Sequence, residues 1–291
     1  MTSENNSLPA LAAANPCWNW YAIADSAQHK ALPAAIVDDN ERVRCLFGAP
    51  QGSPVAAQSP HLVQLAAPTR GGHAWDWIRR NAACRSSVSI IATTMTFAEL
   101  FEQLAANAEV ELPDATSMFL GFWDPAILGT LIGQPDDSTL HVPGPVLGEI
   151  QRSAFLQRLA GWWYWDREGA FHGVDRLPVH GAAAVAPIAF TQRQVDQLVE
   201  ASVPDHVMYF VELNQAPLLD GGAPSAHYRR IRGYIQEARH IGLDRMDDLV
   251  NYVCVSLIYG DRRHDDASIR EIFKSVKEGG VSFDTALTML P

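Results

Sequence analysis

Lysine is scarce in this chain, and the sequence lacks closely spaced cysteine pairs. Lysine occurs only at Lys30, Lys274 and Lys277, so arginine carries almost all of the positive charge. The four cysteines are far apart and form no C-x-x-C pair, which indicates free thiols in a reducing compartment rather than a disulfide framework. The first residues also lack the basic start of a signal peptide. We therefore expect a cytoplasmic protein.

Long apolar runs and an excess of positive charge are also missing. No apolar run approaches the length needed to span a bilayer, so we expect no membrane insertion. The net charge of -11 argues against a broad nucleic-acid surface and against an anionic membrane patch. We therefore predict neither a nucleic-acid partner nor a membrane partner, and the predominance of arginine, which pairs bidentately with carboxylates, favours protein contacts.

Catalytic signatures are absent as well. The sequence contains no G-x-S-x-G, no H-E-x-x-H, no phosphate-binding glycine loop and no G-x-G-x-x-G. None of the ten histidines has metal-ligand spacing. Asp166 and Glu168 suit a hairpin turn, and His264 lies in a turn between two predicted helices. We therefore predict no catalytic residue, no cofactor and no metal site.

The composition is that of a globular protein with two lobes. A chain of 291 residues, 47% of them hydrophobic, exceeds what one modest core usually holds. The predicted fold is an α/β N-terminal lobe, with a mixed sheet flanked by helices, followed by an all-α C-terminal lobe. The predicted boundaries are a flexible lead-in (1–16), an α/β domain (17–180), a linker (181–189) and a helical partner-binding lobe (190–291).

Residues 117–133 give the strongest local pattern. Met118 to Trp123 form a nearly continuous apolar run, which predicts a strand covered on both faces. Asp124 is placed to cap a following helix, and Pro125 suits its first position, where a missing N–H costs nothing. We predict that Phe122, Trp123, Asp124 and Pro125 form a structural motif at the centre of the α/β domain.

Aromatic side chains are the candidates for partner contact. A predicted hairpin carries Trp162 and Trp163, and alternation along its strand places these two residues on opposite faces. Tyrosines of the helical lobe complete the set. The candidates for partner binding, for each of which core packing is the competing interpretation, are Trp162, Trp163, Tyr228, Tyr234, Tyr252 and Tyr259.

The order of several segments resembles a known family, the adaptor chaperones of bacterial type VI secretion, often called Tap-like adaptors. The matching pieces are Trp20–Asp25, Ser59–Leu65, Trp75–Trp77, the strand and helix from Val88 to Leu104, Phe119–Pro125, and in the helical lobe Ala238–Leu243 and Leu257–Gly260. Gly121 and Ala126 stand where arginine is common in the family, so a role for those arginines does not carry over.

The resemblance implies a protein without catalytic activity. Such adaptors bind a toxic effector protein and load it onto the spike protein of the secretion apparatus, so the implied partners are an effector and a spike. The alternative is a cytosolic hydrolase with a diffuse Asp/His site in the α/β lobe, for which Asp124 and His180 are the residues to test. A third interpretation is an oligomeric scaffold without clients.

Overall fold

The computed structural model describes residues 8–27, 32–36, 42–84, 86–174 and 188–291. These residues form nine strands, which are, in chain order, β1 (Asn19–Asp25), β2 (Val43–Cys45), β3 (Pro60–Leu65), β4 (Val88–Thr93), β5 (Glu109–Glu111), β6 (Ser117–Phe119), β7 (Leu159–Trp165), β8 (Phe171–Val174) and β9 (Ile188–Ala189).

The described residues also form twelve α-helices. They are α1 (Leu8–Ala14), α2 (Leu32–Ile36), α3 (His73–Asn81), α4 (Phe97–Asn107), α5 (Pro125–Ile132), α6 (Glu149–Phe155), α7 (Gln192–Gln215), α8 (Pro224–His240), α9 (Met246–Tyr259), α10 (Arg262–Asp265), α11 (Ala267–Lys277) and α12 (Phe283–Met289). None of these described helices combines the length and apolarity needed to cross a membrane.

A six-stranded sheet organises the N-terminal part of the chain. Its strand order is β2-β3-β1-β4-β7-β8, and every neighbouring pair is antiparallel. A second sheet has the order β6-β5-β9, with an antiparallel and a parallel pair. The predicted α/β lobe followed by a helical lobe is confirmed, and the mixed pairing lies in the small sheet.

The large sheet is buried on both faces. One face packs against a cluster that includes Trp162 and Tyr164, and the other against a cluster that includes Trp20 and Trp163. Side chains alternate across a strand, so neighbouring residues of β7 enter opposite cores. The predicted separation of Trp162 from Trp163 is confirmed. Both faces of the hairpin are covered within the α/β part itself.

The prediction of a buried strand over the apolar run before Asp124 is wrong. The strand β6 contains only Ser117–Phe119, lies at the edge of the small sheet and has two exposed residues. The chain then leaves the sheet, and Phe122 turns into the core without being in a strand. Aromatic packing, rather than a doubly covered strand, accounts for the apolar run.

The C-terminal part is helical from Gln192 onwards, and one of its predicted breaks is absent. The sequence predicts one helix from Thr191 and a second from Ser202, but α7 runs unbroken through Pro204. A separate cluster of buried side chains holds this part together, and it includes Val207, Ile235 and Val253.

The chain divides into two compact units, residues 1–198 and 199–291, which we call the α/β unit and the helical unit. Most of the predicted linker (181–189) lies outside the described residues. Part of the predicted lead-in (1–16) forms α1, whose Ala12 is buried against the sheet cluster. The exact domain boundaries given by the sequence stay a prediction.

Candidate functional site

The helical unit carries a depression of about 600 Å³, which we call the helical-unit depression. Four helices of this unit contribute to its wall. The lining residues are Gly233, Gln236, Glu237 and His240 of α8, Ile241 directly after that helix, Tyr252 of α9, Arg263 and His264 of α10, and Arg270 and Phe273 of α11.

Helical periodicity and one sharp turn build this wall. Ile231, Ile235 and Ala238 of α8 are buried in the core of the unit. Residues three and four positions apart share a helix face, so Gly233, Glu237 and the residues around them form a neighbouring face. The α9 helix ends at Gly260, whose φ of 54° suits a glycine. The single turn α10 follows and brings Arg263 back to α8.

Arg263 and Glu237 form the best-defined ion pair of the depression. Arg263 Nη2 lies 2.9 Å and 2.7 Å from the two carboxylate oxygens of Glu237. Arg263 Nη1 donates to the carbonyl of Gly260 at 3.1 Å, and the guanidinium lies 4.4 Å from the ring centroid of Tyr234. Arg263 is 5% exposed. A buried arginine in this arrangement is held rigidly and ties α10 to α8.

Donors outnumber acceptors on this wall. The Glu237 carboxylate already accepts from Arg263 and, at 3.3 Å, from the hydroxyl of Tyr252. The Nε of Arg263 is buried without a hydrogen-bond partner. Among the described residues, no side chain or backbone acceptor contacts the guanidinium of Arg270 or the ring of His264. The wall therefore offers unused N–H groups to an acceptor.

Two aromatic rings form the apolar part of the wall. The rings of Tyr252 and Phe273 lie with centroids 5.3 Å apart at an interplanar angle of 54°. Burial, reinforced by the carboxylate of Glu237, raises the pKa of Tyr252 to about 12. The phenol is therefore protonated at neutral pH and donates to Glu237.

The structure brings together only some of the predicted partner-binding residues. Tyr234 and Tyr252 meet around the Arg263–Glu237 pair. Tyr228 is buried, and Tyr259 lies under the guanidinium of Arg262 with its hydroxyl bonded to the carbonyl of Pro291.

The two tryptophans of the hairpin pack inside the α/β unit. Trp162 is 1% exposed, stacks on Phe155 at 5.5 Å and donates from Nε1 to the Ser89 hydroxyl at 2.9 Å. Trp163 stacks on Trp20 at 5.8 Å. The competing interpretation, core packing, accounts for all these contacts. Partner binding by the six aromatic residues stays a prediction.

The structural motif lies in the core of the α/β unit. Phe122 is fully buried and packs edge-on against Phe155 at 5.5 Å. Trp123 is half-buried. Asp124 caps α5 by accepting from the amides of Ala126 at 2.8 Å and Ile127 at 3.4 Å, and Pro125 is the first residue of that helix. Asp124 therefore has a structural role here.

A buried polar cluster lies elsewhere in the α/β unit. His172 Nε2 is 2.8 Å from Asp166 Oδ2, and the Tyr164 hydroxyl donates to Asp137 Oδ2 at 3.0 Å. Burial, with the Asp137 carboxylate beside it, raises the pKa of Tyr164. Asp137, Asp166 and His172 each offer one ligand atom for a metal ion, and these atoms lie within 4.8 Å of one another.

The carboxylates of this cluster are already hydrogen-bonded. Asp166 Oδ1 accepts from the amides of Glu168 at 2.8 Å and Ala170 at 2.9 Å, which closes the β7–β8 turn. Asp137 Oδ1 accepts from the amide of Thr139 at 2.9 Å and from its hydroxyl at 2.6 Å. These bonds are explained by a structural role, in which the cluster connects the β7–β8 hairpin to the loop that carries Asp137.

Sequence reasoning missed most of the wall of the helical-unit depression. Glu237, Arg263, Arg270 and Phe273 were not named as site residues, because they come from separate helices and share no motif. The available signal was weak: three of the four residues are charged positions on amphipathic helices, where solvated side chains are the usual case.

Comparison with known proteins adds one finding. Residues 20–142 match the family model described as "Domain of unknown function (DUF4123)". The match covers less than half of the chain and ends before β7, so the helical-unit depression lies outside it. No curated protein and no solved structure matches the chain.

Proposed function

We propose that the protein is a non-catalytic adaptor that binds a toxic effector protein in the cytoplasm and loads it onto the spike of a bacterial type VI secretion system. The proposal is supported mainly by the agreement of two observations. Most of the segments that resemble Tap-like adaptors lie within residues 20–142, the range that matches the family model. They correspond to β1, β3, α3, β4, α4 and the start of α5.

The helical unit supplies a surface suited to protein recognition. Its depression combines aromatic rings with arginine side chains, and both residue types are enriched where proteins bind each other tightly. The Arg263–Glu237 pair holds the wall in place before a partner arrives, so less conformational freedom is lost on binding. These features support a role in binding a partner protein rather than in catalysis.

Co-expression tests the proposal directly. The full chain is produced together with the products of the adjacent genes, with an affinity tag on this chain only. We expect a toxin-like protein and a spike protein to co-purify in defined proportions through size-exclusion chromatography. Recovery of neither protein, from a chain that is folded by circular dichroism, would count against the adaptor proposal.

A hydrolase remains the second candidate, because Asp137, Asp166 and His172 converge in the α/β unit. The residues named for this alternative are less suited to it: Asp124 is a helix cap, and His180 lies outside the described residues. Turnover of ester, phosphoester or peptide substrates that disappears in His172→Gln, with the fold intact, would favour the enzyme.

A further inference from the structure

We propose that the helical-unit depression binds a carboxylate carried by a partner polypeptide, with Arg270 as its main donor. The proposal rests on the proposed function only in taking the partner to be a protein. It assigns the chemistry that the depression recognises, an acidic side chain next to an apolar one.

The imbalance of donors and acceptors is the first argument. Glu237 is the one carboxylate on the wall, and Arg263 and Tyr252 already occupy its oxygens. Arg270 is exposed on α11 and has no acceptor among the described residues. Arginine presents a fork of N–H donors that matches a carboxylate. A ligand that accepts hydrogen bonds therefore completes the site.

Charge is the second argument. The lining residues include two arginines and one glutamate, and Lys277 lies 3.1 Å from the ring of His240. The depression is therefore locally positive on a chain whose net charge is -11. Oppositely charged patches steer and orient partners, so an acidic segment is favoured here over the many other surfaces of the chain.

Gly233 is the third argument, because it keeps the depression open. A glycine inside a helix costs roughly 0.5–1 kcal/mol relative to alanine. The backbone of Gly233 is ordinary helix, and a Cβ added there meets nothing within 4 Å. Neither backbone conformation nor packing requires glycine at this position. The empty space above it admits a ligand side chain between α8 and the Tyr252–Phe273 wall.

The volume of the depression limits the size of the ligand that it can hold. A volume of about 600 Å³ is enough for a few side chains and too small for a packed helix. The aromatic wall contacts the apolar atoms of the ligand, while the exposed Arg270 supplies the donors for its carboxylate. A short acidic segment with a neighbouring apolar residue fits both surfaces.

Titration of the full chain with defined peptides tests the proposal. The probe is a rhodamine-labelled, C-terminally amidated peptide of alternating glutamate and phenylalanine, followed by fluorescence anisotropy. The same peptide with glutamine in place of glutamate removes the charge and keeps the length. The signal of the Arg263 Nε–H group in a ¹⁵N-labelled chain reports whether binding occurs at this site.

We expect the glutamate peptide to bind and the glutamine peptide to bind at least about tenfold more weakly, as for the loss of charge-assisted hydrogen bonds. Arg270→Gln is expected to lower the affinity for the glutamate peptide by a similar factor. Gly233→Leu, which fills the open space, is expected to abolish binding while the chain stays folded. Affinity is also expected to fall as salt is added.

Matched controls separate the site from general charge effects. Arg193→Gln removes an exposed arginine from the first turn of α7, outside the depression, and is expected to leave binding unchanged. Gly233→Ala adds one methyl group and is expected to bind more tightly than Gly233→Leu. A glutamine peptide with a free C-terminus tests whether a terminal carboxylate serves as well as a side chain.

Several results would overturn the proposal. Equal affinity of the glutamate and glutamine peptides excludes carboxylate recognition, and an unchanged affinity in Arg270→Gln excludes this donor. Inorganic phosphate competing as well as the glutamate peptide points to a small anion instead. If the effector and spike still co-purify with Arg270→Gln and Gly233→Leu while the peptides do not bind, the adaptor function stands and the proposed site is wrong.

Discussion

At the scale of single residues, Asp124 contributes to the stability of the α/β unit by capping α5. Its carboxylate accepts from two of the amides that α5 leaves free at its start. We expect Asp124→Ala to lower the free energy of unfolding by about 1 kcal/mol, the usual cost of a lost N-cap. Urea denaturation measures this loss, and Asp124→Ser, which restores a capping oxygen, is the control. Equal midpoints for all three proteins would contradict the assignment.

Gly144 is the residue where both conformation and space exclude a side chain. Its φ is 71°, and a Cβ there collides with the carbonyl oxygen of Thr130 in α5. We expect Gly144→Ala to cost at least about 2 kcal/mol, from left-handed strain and the displacement of α5. Gly48 has a φ of 68° with nothing within 4 Å, so Gly48→Ala isolates the strain alone. Similar losses in thermal melts of the two variants would contradict the role of the collision.

At the scale of elements, the capping box of α4 makes stability depend on pH. Glu99 accepts from the amide of Thr96 at 2.8 Å and from Arg158 at 2.9 Å, and these bonds lower its pKa from 4.5 to about 2. A lowered pKa stabilises the folded state above the unfolded value of 4.5. That contribution is lost as the pH falls through about 2.

Glu99→Gln tests this dependence, because glutamine keeps the capping geometry and does not titrate. We expect the variant to be less stable than the wild type at pH 7, and the difference to shrink as the pH falls from 4.5 to about 2. Chemical denaturation across that range measures the difference. A difference in unfolding free energy that stays constant across this pH range would show that the charge of the Glu99 carboxylate does not contribute to stability.

Elements with local signals could be predicted from the sequence, and those decided by distant contacts could not. The pattern Asp-Pro at Asp124 and the capping-box spacings that begin at Thr96 and Thr191 predict helix caps, and the structure has all three. The same spacing at Ser268 predicts a cap that the structure places at Asp266 instead. The break predicted near Pro204 is missing because α7 is held by packing on both sides of the proline: Val207 lies in the helical core, and Leu198 packs against the core around Trp162. Tertiary packing outweighed the local preference of one proline.

The candidate site could be predicted even less well, because it depends on contacts between residues that are distant in the sequence. Arg263 and Glu237 are 26 positions apart, and their pairing depends on the turn at Gly260 and on the packing of α9 against α8. The sequence indicates Tyr234 and Tyr252 as candidates for partner binding, with core packing as the competing interpretation. Their contacts with an ion pair became visible only in the folded helical unit.

At the scale of the whole molecule, separate cores stabilise the two units. The cluster of the helical unit draws all its members from residues after 199, and Ile235 lies fully buried within it. In the α/β unit, Ile90 of β4 is equally buried in the cluster around Trp20. Each isoleucine therefore belongs to one core only.

We expect Ile235→Ala to destabilise the helical unit by about 2–5 kcal/mol, as for other truncations of a buried isoleucine. Hydrogen exchange with mass spectrometry locates the effect. Peptides from α8, α9 and α11 should exchange faster, while β1 and β4 keep their protection, because local stability follows local packing. Ile90→Ala is the matched control and should give the reverse pattern. If either substitution speeds exchange equally throughout both units, the chain unfolds as one cooperative body, and binding at the helical-unit depression would then stabilise the large sheet as well.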